Sequence, residues 1–244
     1  DIDASATSSW DGGKGFLPIG NSTTPFTGTY NGNGKRIRNL FIDRPNTNDI
    51  GFFGYTDNAT LSRIGIVDAD FIGESKVAAL AADITGTEVG FCYSSGEVGA
   101  NSYYPAGLIS FADDSRIQNS YSHCEAAGLG RPAGLVHEIS NNTEVFNCYQ
   151  GHANLDDIVG GDGLIGTNTA STVYDSFWDT QTSGVTSSAG GTGKTTAEMQ
   201  DLATYTATST SGLSQAWDFI GTPNDDAGSD DYWTTDGTTL EIWP

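Results

Sequence analysis

One periodicity constrains this chain more than any other feature of its sequence. The motif Gly51-Phe-Phe-Gly54 recurs as Ala79-Leu-Ala-Ala82, Gly107-Leu-Ile-Ser110, Gly134-Leu-Val-His137 and Gly163-Leu-Ile-Gly166, with starts 28, 28, 27 and 29 residues apart. A second motif interleaves with it: Ile37-Arg-Asn-Leu-Phe41, Ile64-Gly-Ile-Val-Asp68, Val89-Gly-Phe-Cys-Tyr93, Ile117-Gln-Asn-Ser-Tyr121, Val145-Phe-Asn-Cys-Tyr149 and Val173-Tyr-Asp-Ser-Phe177. Its starts are 27, 25, 28, 28 and 28 apart. Two motifs that share one period define an internal repeat.

The content of the repeat sets the fold class. Each unit carries two apolar runs of four or five residues, bounded by Gly, Asn, Asp, Ser and Thr. Runs that short, rich in β-branched and aromatic residues, read as strands. A helical solenoid needs amphipathic stretches of about ten residues, and no unit contains one. The sequence therefore predicts an all-β chain wound as a parallel β-helix, a solenoid of about six coils over residues 35–180. Residues 1–34 form an N-terminal β cap, and residues 181–244 form a C-terminal tail with linker, short helix and β-hairpin.

In such a stack, like positions lie above one another at ~4.8 Å. The second motif gives an inward β-branched column of Ile37, Ile64, Val89, Ile117, Val145 and Val173. It also gives a turn column with Asn39, Asn119, Asn147 and Asp175, whose side chains are suited to hydrogen-bonding along the axis. A mostly small column follows (Leu40, Val67, Cys92, Ser120, Cys148, Ser176), then an aromatic one of Phe41, Asp68, Tyr93, Tyr121, Tyr149 and Phe177. Cys92 and Cys148 fall two coils apart, roughly 9–10 Å, too far for a disulfide. Both are expected reduced and buried. Ala79 lacks the leading glycine of its motif, which predicts a distorted coil there.

Open solenoid ends expose strand edges and core unless capped. Asn31-Gly-Asn-Gly34 reads as a hairpin-type turn inside the N-terminal cap. Thr195 and Glu198 have capping-box spacing for a helix at about 196–203. Asp236-Gly237 signals a hairpin within Tyr232–Trp243. Trp217, Trp233 and Trp243 are expected to pack this tail on the end or side of the stack.

Taken together, Trp10-Asp-Gly-Gly-Lys-Gly-Phe-Leu-Pro-Ile-Gly20, Pro25-Phe-Thr-Gly-Thr-Tyr-Asn-Gly-Asn-Gly34, the Gly-Leu-Ile units and the Asn-Cys-Tyr or Asn-Ser-Tyr units resemble the GLUG-repeat family of bacterial and archaeal surface proteins. The resemblance extends to Gly190-Gly-Thr-Gly-Lys-Thr-Thr-Ala-Glu-Met-Gln200 and Ala216-Trp-Asp-Phe219. It implies a secreted or cell-surface β-helix of adhesin-like proteins, with no shared catalytic residues.

Charge narrows the partners. Ten Lys+Arg against 31 Asp+Glu give a formal charge of −21 and a pI near 4.1. Nucleic acid and anionic lipid are poor partners for such a surface, and no apolar run approaches a membrane span of ~20 residues. The charge is also uneven. Residues 1–76 net −2, whereas residues 77–244 net −19, with only Arg116, Arg131 and Lys194 as bases. Three cysteines make no disulfide framework. Acidity, few cysteines and turn-rich β composition suit an exported microbial protein in saline water. The start at Asp1-Ile2-Asp3, without a signal-peptide pattern, reads as a mature chain or an excised fragment.

Candidate chemistry is sparse. Gly190–Thr196 imitates a phosphate-binding loop, but Ser188 stands where its first glycine belongs and no apolar strand precedes it. His123, His137 and His152 fall in neighbouring coils near Tyr121 and Tyr149, where a polysaccharide lyase would want its base. Such an enzyme also needs a cation for the uronate, and only Arg116 and Arg131 lie in that stretch of sequence. The carboxylate pairs Asp113-Asp114, Asp156-Asp157 and Asp68/Asp70 suit solvated turns better than a glycosidase cleft. Asp225, Asp226, Asp230 and Asp231 offer oxygen ligands for Ca2+, without a known calcium-loop spacing. Apart from that ion no cofactor is expected. Tyr93, Tyr121, Tyr149 and Phe177 form either an outward aromatic ladder for a sugar or protein partner, or a strip covered by the C-terminal tail.

The leading expectation is a non-enzymatic extracellular or cell-surface module for adhesion, surface structure or self-assembly into filaments, with another copy, a surface protein or a glycan as partner. The alternative is a polysaccharide-binding or polysaccharide-degrading β-helix.

Overall fold

The computed structural model describes residues 1–151, 161–220, 232–235 and 240–242. Short strands, nearly all paired in parallel, stack into a β-solenoid of about five turns, with few helices. One wall consists of Phe53–Asp57, Ala81–Thr85, Ile109–Asp113, Val136–Ser140 and Ile165–Thr169, each in parallel register with the next. A second wall carries the start of Thr60–Gly73, then Glu88–Gly90, Arg116–Gln118, Glu144–Phe146 and Thr172–Tyr174. The third carries Phe41–Arg44, the rest of Thr60–Gly73, Tyr93–Ala100, Tyr121–Gly128, Tyr149–Gln150, Phe177–Asp179 and Thr192–Lys194.

The walls meet at corners made by left-handed residues. Asn58, Gly86, Asp114, Asn142 and Ala170 turn the chain from the first wall to the second, at φ of 49, 55, 45, 66 and 56°. Arg63, Phe91, Asn119, Asn147 and Asp175 turn it from the second to the third, at φ of 54, 58, 45, 50 and 47°. Asn and Asp are tolerant of this region, which accounts for the Asn column read from the sequence. Arg63 and Phe91 occupy the same corner without that tolerance, and the Arg63 guanidinium lies 5.6 Å from the Phe91 ring centre.

The interior is a set of columns. Phe52, Leu80, Leu108, Leu135 and Leu164 are buried one above another, each main chain bonded to the next coil. The leading glycine of this motif has a steric cause. A Cβ at Gly107 would lie 2.0 Å from Ser122 Oγ, and one at Gly163 would lie 2.1 Å from Trp178 Cδ1. The coil at Ala79 keeps its register, with Ala79 N donating to Gly107 O and Leu80 N to Leu108 O. The distortion expected there is absent.

Polar columns run beside the apolar ones. The Ala59 N–H donates to Thr87 Oγ1, Thr87 N–H to Ser115 Oγ, Ser115 N–H to Thr143 Oγ1 and Thr143 N–H to Ser171 Oγ, at 3.4, 3.0, 3.1 and 3.2 Å. Each hydroxyl satisfies a corner N–H that would otherwise be buried without a partner.

Two register expectations are corrected. Val89 pairs with Leu61 rather than Ile64, and Ile37 pairs with Ile66. Likewise Tyr93 pairs with Gly65 and Phe41 with Asp70, so Asp68 is not in the aromatic column. Leu61, Gly65 and Ile66 keep the 28-residue step to Val89, Tyr93 and Ser94, and the register of Thr60–Gly73 shifts only beyond them, between Ile66 and Ala69. With Leu61 in place, Leu61, Val89, Ile117, Val145 and Val173 follow a uniform 28-residue step.

At the first coil, Ile2–Asp3 pairs in parallel with Ile37 and Arg38, ahead of the 3-10 segment Ser5–Gly13. Asn31–Gly34 is not a hairpin turn. The strand Thr29–Arg38 runs straight through it, parallel to Thr60–Gly73, and the extra residues form a bulge between Asn31 and Lys35. In the tail, Thr195 and Glu198 form the expected capping box on Thr196–Met199, and a second short helix spans Ala203–Thr206. Trp233–Thr235 pairs antiparallel with Leu240–Ile242; the Asp236-Gly237 turn between them lies outside the described residues. No helix among the described residues is long and apolar enough to cross a membrane.

Candidate functional site: an aromatic column and its cover

Parallel register places rings 28 residues apart face to face. Tyr93 stacks on Tyr121 at 5.1 Å and 11°, and Tyr121 on Tyr149 at 4.9 Å and 16°. Phe177 follows in register below Tyr149. The C-terminal tail closes over this column. Trp233 lies 6.3 Å from Tyr121 and 5.8 Å from Tyr149, while Tyr205 meets Phe177 edge-on at 5.6 Å. Trp217 packs between Tyr205 and Trp233, at 4.8 and 4.6 Å. Met199, Leu213 and Phe219 complete the cluster.

The cover is bolted to the corner residues of the solenoid. Asp175 accepts from Ser214 N–H and, at 2.8 Å, from Ser214 Oγ. Trp217 Nε1 donates to the Asp175 carbonyl at 3.0 Å and Trp233 Nε1 to Asn119 Oδ1 at 3.4 Å. The left-handed Asn/Asp column therefore both turns the chain and anchors the tail. Tyr205 donates to Met199 O at 2.8 Å, and burial followed by the charge of Asp179 pushes its hydroxyl far above the usual tyrosine range.

Of the two places open to the aromatic strip, Tyr121, Tyr149 and Phe177 take the covered one. They are 6, 3 and 0% exposed. Tyr93, at the end of the column, is half-buried rather than buried. Trp243 and the acidic residues Asp225, Asp226, Asp230 and Asp231 lie outside the described residues, as do His152, Asp156 and Asp157.

The remaining candidates separate. His123 contacts Tyr121 at 4.9 Å and Tyr149 at 5.5 Å on the third wall. His137 belongs to the first wall, against Tyr104 at 4.9 Å. Burial, countered in part by a main-chain hydrogen bond at Arg131, pushes its imidazole down to about 4, and its Nδ1 is buried without a hydrogen-bond partner among the described residues. Asp113 accepts from Ser140 Oγ, and Asp114 is a corner residue. Asp70 is raised above the usual carboxylate range by burial, Glu97 and Asp43. The Lys194 of the imitation phosphate loop is buried in a strand, 5.6 Å from the Phe177 ring. Cys92, Cys124 and Cys148 are free and buried, and burial raises their thiols to about 12, 11 and 12.

Two constellations escaped the sequence reading. Lys76 bonds Asp83 at 2.6 Å and lies 4.3 Å from the Phe111 ring, with Tyr104 edge-on to Phe111 at 5.1 Å. Burial opposes the Lys76 charge, but Asp83 outweighs it and holds the amine above its usual value. At the open end of the aromatic column, Arg36 Nε donates to Tyr93 OH at 2.9 Å, beside Arg38 and His123 in a cleft of about 160 Å³. A signal for the first was the left-handed Lys76 and Tyr104, but φ is invisible in sequence. The second joins residues two coils apart across Gly65, a contact that depends on side-chain size rather than on the repeat alone.

Over 231 residues the chain is 35% identical to halomucin of Haloquadratum walsbyi, an alignment that takes in 79% of this chain and 2% of halomucin. Over 79 residues it is 39% identical to a protein of Evansella cellulosilytica named as a Gly-rich membrane protein, covering 32% of this chain and 9% of that protein. The chain thus spans less than a tenth of the length of either relative. No family model matches the sequence, and no solved structure matches the chain.

Proposed function

We propose that this chain is a stiff, non-enzymatic segment of a surface-associated protein of the GLUG-repeat kind, serving adhesion, surface structure or assembly into filaments. The observation that carries the reading is the unbroken parallel ladder from Ile2–Asp3 to Thr192–Lys194, whose Tyr121, Tyr149 and Phe177 column is covered by its own tail rather than offered as a long groove. Ladders of this kind resist bending because every coil is bonded to the next. The two relatives, halomucin and a protein named as a Gly-rich membrane protein, support a surface setting, and the alignment with halomucin takes in 79% of this chain. Unequal charge at the two ends of the chain favours heterologous, head-to-tail contact between copies.

Sedimentation at low and high salt, with electron microscopy of the same samples, tests assembly: salt-dependent linear oligomers are expected, and a salt-independent monomer overturns the filament reading. Release of oligosaccharide from any member of a polysaccharide panel overturns the non-enzymatic one. A second reading, polysaccharide binding, is favoured by the cleft at Arg36, Arg38 and Tyr93.

A further inference from the structure

We propose that the cleft at the open end of the aromatic column binds a single uronate residue of an acidic polysaccharide, with Arg38 as its carboxylate partner. The proposal deepens the polysaccharide-binding reading and is independent of whether copies assemble.

A missing side chain makes the cleft. Gly65 occupies the rung between Arg36 and Tyr93, and a Cβ there would lie 2.5 Å from Tyr93 Cζ and 2.6 Å from its hydroxyl oxygen. The Tyr93 ring therefore leans across Gly65 until its hydroxyl meets Arg36 Nε at 2.9 Å. One face of the ring is stacked on Tyr121. The ring is thus held at a fixed tilt and partly exposed, with its rim lining the cleft where a sugar would pack.

Arg38 lies two residues beyond Arg36 and so on the same face of the strand. Its ion pairs are loose: 3.7 Å to Asp1 and 3.9 Å to Asp68, both beyond hydrogen-bond distance. The Asp68 carboxylate is itself 62% exposed, so it competes weakly for the guanidinium. A guanidinium offers parallel N–H donors in the geometry of a carboxylate. Ser95 Oγ, also lining the cleft, accepts from Asp68 N–H at 3.2 Å, which leaves its own proton to donate. An arginine fork, a hydroxyl and a tilted aromatic ring together match the carboxylate, hydroxyls and apolar face of a uronate. At about 160 Å³ the cleft is below the ~300–1,000 Å³ of small-molecule pockets, and so takes one sugar residue rather than a long segment. Arg36 and Arg38 both line the cleft, which places two guanidinium groups where a polyanion would meet it.

Calorimetric titration of the full chain with tetragalacturonate, its neutral methyl ester and inorganic sulfate tests this. Saturable binding of the tetramer is expected, weakened at least tenfold by esterification, and at least tenfold in Arg38→Gln, with sulfate no better than the ester. Gly65→Ala, which displaces the Tyr93 ring, should give the same loss. Arg38 is partly exposed, so Arg38→Gln should keep the wild-type circular dichroism. Unchanged affinity in Arg38→Gln, or equal binding of ester or sulfate, overturns this site while leaving polysaccharide binding standing. Absence of binding by tetramer and ester alike overturns both.

Discussion

Cys92 and Ser120 stand one coil apart, and the Cys92 main-chain N–H donates to Ser120 Oγ at 3.1 Å. Cys148 and Ser176 repeat the relationship at 3.1 Å. The small column thus supplies acceptors to the coil before it, and Ser120 in turn donates to Gln118 O at 2.8 Å. Ser120→Ala leaves the buried Cys92 N–H without its partner, a loss of about 1–3 kcal/mol. Urea unfolding should show this, whereas the exposed Ser8→Ala should change stability by less than about 0.5 kcal/mol.

The thiols supply a second prediction. Cys92, Cys124 and Cys148 are buried and their ionisation is suppressed by that burial, and thiolate is the reactive form. The folded chain should not react with an aromatic disulfide reagent at pH 8, and all three should react in denaturant. Titration of any of them without unfolding would contradict the packing.

His137 predicts the acid limb of stability. Burial pushes its imidazole down to about 4 in the folded chain, below the ordinary ~6.5 of an unfolded one. The unfolded state therefore binds the extra proton first as pH falls. The contribution is complete above ~6.5, and up to about 3 kcal/mol is lost between there and 4. His137→Phe should flatten stability over that interval in urea titrations at fixed pH; an unchanged slope would remove His137 as the cause.

The tail cover gives a fourth. Trp233 is buried against Tyr121, Tyr149 and Trp217. Trp233→Ala should cost about 3–5 kcal/mol in the cooperative unit that contains the cover and raise binding of an apolar fluorescent dye as Tyr121 and Tyr149 become accessible. If dye binding does not change, the column is covered by something other than this tail.

Legibility in the sequence followed the uniformity of the step. Tyr93, Tyr121, Tyr149 and Phe177 are 28 residues apart and of one chemical kind, so the column could be read directly. Ile64 and Asp68 fall outside these columns because Ile64-Gly65 imitates Val89-Gly90, while Leu61 and Gly65 hold the true positions. The ladder of Thr87, Ser115, Thr143 and Ser171 has the same step, but Ser and Thr are so common in this chain that their recurrence carries no signal. The corners were half legible, through Asn119 and Asn147, while Arg63 and Phe91 disguise the same left-handed turn. The cleft was not legible at all. Arg36 reaches Tyr93 only because Gly65 intervenes, and that depends on register across two coils.

Spin-label distances measure the winding itself. Thr60, Glu88, Arg116, Glu144 and Thr172 occupy one column in consecutive coils of the second wall. Pairs labelled at Thr60/Arg116, Thr60/Glu144 and Thr60/Thr172 should give main-chain separations of about 10, 14 and 19 Å, rising by one strand spacing per coil. Separations that fail to rise in equal steps along this series would contradict the stacked solenoid.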